Sequence, residues 1–273
     1  MFESPVKKRD IILFSFFSFA IVFCIFLSSF FDERTKIVFC NVGQGDAAYI
    51  RIKNKIDVLI DAGPDKSILS CLGKYMPFWD RKIELAFLSH PNNDHYNGYF
   101  FIADRYKIDK FITVNTSDLI ISKTYKKLLS KISEKNIPII FKYSGDKIAL
   151  EMGELRLLWP PRGFNSSNDN DFSSVILFNG VLFTGDSSPF VLGRLSHGAI
   201  GKVDVLKIPH HGSKNGLTKN FLDLADPSIA VISVGKNNSY GHPSKEVLDM
   251  LKAKNINIRR TDVEGDIIFK LSN

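Results

Sequence analysis

Residues 89–95 read Ser-His-Pro-Asn-Asn-Asp-His and place two imidazoles, a carboxylate and carboxamides in one short turn. The turn follows an apolar run at 85–88, which has the length and composition of a buried strand. Imidazole and carboxylate are the usual ligands of catalytic zinc, and their mixture also suits manganese or iron. The stretch therefore predicts a metal site at a strand end. The alternative is a polar turn that only caps the next helix, with Asp94 as the N-cap.

Further polar turns follow apolar runs in the same way. Asp61 and Asp186 each end such a run and are accompanied by small residues. His210 and His211 end another, and because adjacent side chains leave the chain in opposite directions, one can bind metal while the other packs. His242 lies in a fourth turn, where a lone histidine is more often structural than a ligand. Loops at strand ends commonly carry functional sites, so these turns extend the predicted metal site.

The sequence around these turns alternates short β-branched runs with amphipathic segments. Strands are predicted at 36–40, 47–52, 58–60, 85–88, 110–114, 139–141, 147–150, 155–159, 175–178, 181–184, 203–207, 230–234 and 267–270. Helices are predicted at 68–75, 122–136, 217–224 and 244–254. Two strand-rich halves with interspersed helices favour an α+β fold in which helices cover two facing sheets, an αββα sandwich. Periodicity alone does not choose this arrangement over other α/β folds.

The first thirty residues have a different character. Residues 11–31 carry no charge, and at 1.5 Å per residue they would reach roughly 31 Å, the thickness of a bilayer core. Lys7, Lys8 and Arg9 precede them, and positive flanks stay in the cytoplasm. We therefore predict a cytoplasmic N-terminus (1–10), a single transmembrane helix (11–31) and an extracytoplasmic domain (35–273) at the cell membrane. A cleaved signal peptide is the alternative, although its apolar core is usually shorter.

The amino-acid composition and the cysteine content limit the classes of protein to which the chain can belong. Apolar residues make up 44% of the 273, which excludes wholesale disorder. The net charge of +7 favours an anionic partner such as nucleic acid or an acidic membrane surface, although the lysines are scattered and also fit a solvated basic surface. Three cysteines form neither a disulfide framework nor a CxxC zinc site. A Cys40–Cys71 bridge would fit an oxidising compartment, but we expect these two side chains simply to pack.

Together these motifs resemble the metallo-β-lactamase superfamily, and in particular the C-terminal hydrolase domain of ComEC competence proteins. The resemblance covers about residues 35–271 and rests on the stretches 41–47, 88–95, 209–213, 239–244 and 260–267. It implies the metallo-β-lactamase fold and metal-assisted hydrolysis with one or two divalent ions, zinc or manganese. The metal ligands that it implies are His90, Asn92, Asp94, His95, Asp186 and His210, of which Asp94, His95 and Asp186 are also catalytic. The supporting or substrate-binding residues are Gln44, Asp46, Asp61, His211, Ser213 and His242.

The chain departs from the superfamily pattern at one of the two implied metal positions. Asn92 stands where the superfamily usually has a second histidine, and no histidine occurs between His95 and Asp186, where the third should fall. That loop carries Asn165, Asn168, Asn170 and Asp171 instead. Oxygen ligands favour harder ions such as manganese or magnesium. We therefore expect one firm metal site and one weak or absent site.

The function that the resemblance implies is a metal-dependent phosphodiesterase or nuclease that acts on DNA at the extracytoplasmic face during DNA uptake. Its partners would be DNA, the membrane through one helix, and a separate channel protein or other competence proteins, because full ComEC proteins carry a multi-helix channel. Four lysines near the later motifs could contact phosphates or form a solvated rim: Lys207, Lys214, Lys219 and Lys236. Two alternatives stay open. The first is a hydrolase of another ester, thioester or lactone, and the second is a degenerate, non-catalytic domain that binds DNA or a partner.

Overall fold

The computed structural model describes residues 7–30, 34–115 and 122–271. The first half of the chain contains α1 (Lys8–Phe30), β1 (Thr35–Phe39), β2 (Ala48–Ile52), β3 (Ile56–Ile60), α2 (Ile68–Tyr75), β4 (Lys82–Phe87), α3 (Asn93–Tyr96), α4 (Gly98–Arg105), β5 (Lys107–Thr113), α5 (Lys123–Glu134) and β6 (Ile139–Phe141). The second half contains β7 (Lys147–Leu150), β8 (Gly153–Trp159), β9 (Val175–Phe178), β10 (Val181–Phe183), α6 (Pro189–Leu192), α7 (His197–Ile200), β11 (Val205–Lys207), α8 (Lys219–Ala225), β12 (Ile229–Ile232), α9 (Lys245–Ala253), β13 (Asn257–Arg260), α10 (Thr261–Glu264) and β14 (Ile267–Leu271). Two 3-10 turns span Asp169–Phe172 and Pro209–Gly212.

The described strands form two mixed sheets of seven strands each. The first has the order β14-β1-β2-β3-β4-β5-β6 and the second the order β13-β12-β11-β10-β9-β8-β7. In the first sheet β3 to β6 run parallel, and in the second β10 to β13 do. Because parallel strands end at the same edge of a sheet, the loops that follow β3 and β4 emerge side by side, as do those that follow β10 and β11.

The alternation of side chains along the strands divides the core into three layers. In β1, Ile37 and Phe39 point into the core between the sheets, whereas Val38 packs beneath helices α2, α4 and α5. Phe183 of the second sheet meets Phe39 with ring centroids 5.6 Å apart. Helices α6, α8 and α9 cover the outer face of the second sheet. These three apolar clusters separate four layers of secondary structure, in the order helix, sheet, sheet, helix, which confirms the predicted αββα sandwich.

The predicted membrane anchor is not confirmed. Across residues 7–30, 34–115 and 122–271, no helix is both long and apolar enough to cross a membrane. Residue 31 of the predicted span and residues 1–6 of the predicted cytoplasmic segment lie outside the described residues. The anchor and the topology that we inferred from it therefore stay predictions.

The expectation for the two cysteines of the domain was wrong. Cys40 and Cys71 form a disulfide with a Cα–Cα distance of 5.8 Å. Cys40 follows β1, but Cys71 lies on α2, which packs across the outer face of the same sheet. The bridge therefore ties a covering helix to the strand end beneath it.

Candidate metal centre

The loops at the ends of four strands converge between the two sheets. Asp61 follows β3, the turn at 89–95 follows β4, Asp186 follows β10, and the histidine pair at 210–211 follows β11. The turns that the sequence predicted to form one site are thus brought together by the parallel registers of both sheets.

Four side chains form a compact group that can hold a metal ion. Asp94, His95, Asp186 and His211 each offer a ligand atom, and these atoms all lie within 4.8 Å of one another. His95 Nε2 is 3.3 Å from Asp186 Oδ1, and His211 Nε2 is 3.2 Å from Asp94 Oδ2 and 3.6 Å from Asp186 Oδ2. Asp186 therefore lies between the two imidazoles. Asp94 is the partly exposed member, and the other three are buried.

Unsatisfied atoms and unbalanced charge indicate that this group fits a cation. Among the described residues, the buried atoms His95 Nε2 and Asp186 Oδ1 have no hydrogen-bond partner. With the imidazoles neutral, as a bound metal requires, four carboxylates including those of Asp46 and Asp61 face one ammonium group among the described residues, that of Lys207. Buried polar atoms without partners and buried uncompensated charge are both costly. A divalent ion would satisfy both, and two imidazoles with two carboxylates suit zinc or manganese.

The pKa values of the group reflect the same excess of negative charge. Burial opposes protonation of His211, but the carboxylates of Asp186 and Asp46 outweigh it and raise the pKa of His211 to about 10. Burial likewise opposes protonation of His95, yet Asp186, Asp61 and Asp94 raise its pKa well above the ordinary value. Burial raises the pKa of Asp186, but His211 and His95 hold it well below its usual range. The imidazoles thus take up protons at a place where a bound cation would supply the positive charge.

Asp61 orients His95 from beneath. Its carboxylate accepts hydrogen bonds from the backbone N–H of Ser89 at 2.7 Å and from the Ser89 hydroxyl at 2.8 Å. Its Oδ2 lies 2.9 Å from His95 Nδ1. A carboxylate at Nδ1 fixes the ring so that Nε2 faces the group, which is a common arrangement behind metal-binding histidines.

A second set of contacts orients His211. Its Nδ1 donates to the Ser233 carbonyl oxygen at 3.0 Å and lies 3.4 Å from Asp46 Oδ1. Lys207 forms a close ion pair with Asp46 and donates to the Gly185 carbonyl oxygen at 2.8 Å. The Lys207 side chain is only 3% exposed, so this residue is not the surface phosphate contact that we had considered. The signal for its buried role was a lone charge between Leu206 and Ile208 in an apolar run.

The paired histidines lie in different positions relative to the four-residue group. Both have left-handed backbones, with φ of 51° at His210 and 53° at His211. Such conformations cost about 1–3 kcal/mol each and concentrate at functional sites. His211 enters the four-residue group, whereas His210 is 30% exposed at the rim, with its Nε2 3.8 Å from Asp186 Oδ2. Of the two histidines, His211 therefore lies in the group that can hold a metal ion, and the ligand role of His210 stays a prediction.

The other two predicted ligands, His90 and Asn92, lie beside His95 and Asn170 respectively. His90 is fully buried with its ring 4.2 Å from that of His95, and its Nε2 has no hydrogen-bond partner in the described part of the chain. Burial, and then the charge of His95, lower the pKa of His90 to about 3, so the ring is neutral. The Asn92 amide donates to Asn170 Oδ1 at 3.2 Å, and Asn170 Nδ2 lies 3.4 Å from His210 Nδ1. Asn92 and Asn170 thus bring two carboxamides together next to His210. Asn170 lies in the loop between His95 and Asp186, where the superfamily pattern would place its third histidine.

The remaining supporting residues hold loops around the group. Gln44 Oε1 accepts from the backbone N–H of Gly235 at 3.1 Å, and buried Ser213 accepts from that of Asn215 at 3.3 Å. His242 lies beyond His210, with ring centroids 6.0 Å apart. We place these three residues around the metal group rather than in it.

Two facing sheets with imidazoles and carboxylates at their adjoining strand ends define a class of protein, the metallo-β-lactamase fold. The chain belongs to the metallo-beta-lactamase superfamily, whose sequence model matches residues 40–236. The predicted resemblance is therefore confirmed.

The chain is similar to two curated proteins over most of its length. It is 26% identical to ComE operon protein 3 of Bacillus subtilis over 93% of this chain and 35% of that protein. It is 27% identical to Recombination protein 2 of Haemophilus influenzae over 97% of this chain and 33% of that protein. The chain thus spans about a third of the length of these relatives. Among solved structures, the metallo-beta-lactamase fold protein YhfI from Bacillus subtilis superposes with a TM-score of 0.58 over 88% of this chain and all of that one, at 12% identity. That likeness shows the fold alone.

Proposed function

We propose that this chain is a metal-dependent phosphodiesterase that cleaves DNA at the extracytoplasmic face of the cell during DNA uptake. The observation that carries the proposal is the group of Asp94, His95, Asp186 and His211, whose ligand atoms converge within 4.8 Å. Two of its buried atoms lack hydrogen-bond partners within the described residues. A site of this charge and composition favours a divalent ion and a negatively charged substrate bound to that ion.

The chemistry divides between the ion and the side chains. A bound divalent ion lowers the pKa of a coordinated water and offsets the charge that develops on a phosphoryl oxygen. Asp94 is the partly exposed member of the group, with its Oδ2 3.2 Å from His211 Nε2, so its carboxylate could also orient an attacking water from the open side. His210 stands at the rim, and burial lowers its pKa, so the neutral ring can donate a hydrogen bond to a phosphate oxygen. His95 and Asp186 are buried and would hold the ion from the inner side of the site.

The choice of DNA and of compartment rests on further observations. One relative bears the name Recombination protein 2, and the resemblance to ComEC domains covers nearly the whole domain. The net charge of +7 suits a polyanion. The Cys40–Cys71 disulfide fits an oxidising compartment, as expected for an extracytoplasmic domain.

The first experiment measures cleavage of DNA by the full chain with manganese, with zinc and with a chelator. We expect cleavage with metal, none with chelator, and none in the Asp94→Ala/His95→Ala variant. A matched variant, Asp104→Ala/His197→Ala, removes an exposed aspartate and an exposed histidine on α4 and α7, and should cleave as the wild type does. Folded wild-type protein that cleaves no DNA with any metal would refute the proposal.

A second candidate, a non-catalytic domain that binds DNA, is favoured by one feature of the site. Asn92 and Asn170 bond to each other at 3.2 Å on the side where the superfamily pattern places histidines. Salt-sensitive binding of DNA without turnover would support this candidate. Hydrolysis of small carboxylic esters, but not of DNA, would instead indicate another ester substrate.

A further inference from the structure

An exposed aromatic side chain stands beside the metal group at the end of a row of rings. Tyr240 is 70% exposed, and its ring stacks on that of His242 with centroids 5.7 Å apart and an interplanar angle of 22°. The His242 ring is 6.0 Å from that of His210. His210 Nε2 in turn lies 3.8 Å from Asp186 Oδ2. The row therefore runs from solvent to the centre of the four-residue group.

The loop that carries this row is fixed by its own hydrogen bonds. Asn238 Nδ2 donates to the carbonyl oxygens of Gly235 at 3.0 Å and His242 at 2.7 Å. Asn238 Oδ1 accepts from the backbone N–H groups of Tyr240 at 3.2 Å and His242 at 3.0 Å. A single side chain thus makes four bonds across the loop, so the Tyr240 ring is presented by a preorganised backbone.

Both ends of the loop are also attached to the metal site. At its start, the Gly235 N–H donates to Gln44 Oε1 at 3.1 Å. At its end, Pro243 packs against Gly212, next to His211, and the Ser244 N–H donates to the Gly212 carbonyl oxygen at 2.9 Å. The position of the aromatic row is therefore coupled to the position of the metal ligands.

The chemistry of this surface selects a planar, apolar ligand attached to an anion. One face of Tyr240 rests on His242, and its exposure leaves the other face to solvent. The stacked pair offers a broad π-surface, and exposed Lys236 in the same loop adds positive charge. Stacking of a base on an aromatic side chain is worth about 1–3 kcal/mol and requires that the base be unstacked from its neighbours.

We infer that Tyr240, supported by His242, forms a nucleobase-stacking subsite that places the adjoining phosphodiester of a single strand at the metal group. This inference rests on the proposed function and specifies its substrate as unpaired DNA, because the bases of a duplex are not free to stack on a protein ring. Tyr240 acts by binding the substrate and takes no part in bond cleavage.

The test compares a single-stranded oligonucleotide with one of the same length whose sugars lack bases, using the full chain with manganese. Stacking of 1–3 kcal/mol corresponds to a factor of about 5–150, and we expect Tyr240→Ala to raise KM for the base-bearing strand by about tenfold with little change in kcat. Tyr240→Phe keeps the ring and should stay within about twofold of the wild type. The matched control is Phe78→Ala, which removes an aromatic side chain that is 80% exposed and distant from Tyr240 in the sequence.

The outcomes separate this inference from the proposed function. If the wild type cleaves DNA but Tyr240→Ala changes KM equally for both strands, or for neither, the stacking subsite is refuted and the nuclease stands. If the wild type cleaves no DNA, equilibrium binding of the same two oligonucleotides by fluorescence anisotropy decides the question. Loss of affinity in Tyr240→Ala for the base-bearing strand alone would support the subsite without the nuclease, and equal affinities of variant and wild type would overturn it.

Discussion

Substitution of Gly45 tests how the turn at 89–95, which carries Asp94 and His95, is held in place. A Cβ atom built on Gly45 would lie 2.3 Å from the Asp94 carbonyl oxygen and 2.8 Å from Pro64 Cδ. To reach even the 3.0 Å limit of real Cβ contacts, the Asp94 backbone or the loop would have to move by about 0.7 Å. Asp94 belongs to the metal group, and the next residue is His95, so Gly45→Ala displaces two proposed ligands without touching either side chain.

The expected cost has two parts. Overpacking of a well-packed site costs about 1–3 kcal/mol. A side chain at φ of 155° adds backbone strain of about 1 kcal/mol. We therefore expect Gly45→Ala to lower the free energy of unfolding by about 2–4 kcal/mol. Because disturbing the residues behind a metal site typically weakens binding by about 10–100-fold, we expect a loss of that size in metal affinity.

The control lies two residues away in the same loop. Gly43 also has a positive φ, of 80°, but a Cβ there would meet nothing within 4 Å. Gly43→Ala should therefore lower the free energy of unfolding only by the backbone strain, about 1 kcal/mol. Its metal affinity should stay within about threefold of the wild-type value. The assays are urea unfolding followed by circular dichroism and competition with a chromophoric chelator for manganese or zinc. Equal metal affinities in the two variants would refute the reasoning.

Three further predictions follow from the pKa values and contacts. The pKa of His211 is raised to about 10 and that of His95 is also raised, so both rings must lose a proton when metal binds. Metal affinity should therefore rise by at least about tenfold per pH unit between pH 6 and 9, and calorimetry in buffers of different ionisation enthalpy should detect proton release at pH 7. Asp61→Asn removes the carboxylate 2.9 Å from His95 Nδ1 and should weaken metal binding about 10–100-fold in the chelator competition, whereas unchanged affinity would contradict the orienting role. The Cys40–Cys71 bridge closes a separation of 31 residues, so the Cys40→Ala/Cys71→Ala variant should lose about 3–4 kcal/mol in urea unfolding, and an identical midpoint would argue against the bridge.

Sequence periodicity was sufficient to predict the helices and strands that bury an apolar face. The helix predicted at 68–75 is observed as Ile68–Tyr75, and the one predicted at 122–136 as Lys123–Glu134, with Tyr125, Leu128 and Ile132 buried. Strand β13 was missed because Asn257–Arg260 is polar and lies at the edge of its sheet, where pairing with β12 rather than burial stabilises it. Helix α4 was missed because its apolar residues directly follow the metal turn and show no separate start signal.

For the candidate site, local sequence indicated which turns carry the chemistry but not the roles within them. Asp61, Asp94, His95 and Asp186 were each singled out as residues of turns at strand ends, and the structure brings their side chains together. The apolar neighbours of Lys207 indicate that it is buried, but they could not identify its partner, because Asp46 is distant in sequence and approaches only when the two sheets face each other.

The histidine pair shows most directly why such assignments need the tertiary structure. The alternation of side chains predicts that His210 and His211 point in opposite directions, but it does not predict which of the two points into the site. That choice is made by the Ser233 carbonyl oxygen and the Asp46 carboxylate, which lie 3.0 and 3.4 Å from His211 Nδ1 and come from elements far apart in the chain. His211 makes these contacts from a left-handed backbone conformation, which His210 shares and which is uncommon for residues other than glycine. The long-range contacts at Nδ1 therefore orient the His211 ring so that its Nε2 faces Asp94 and Asp186.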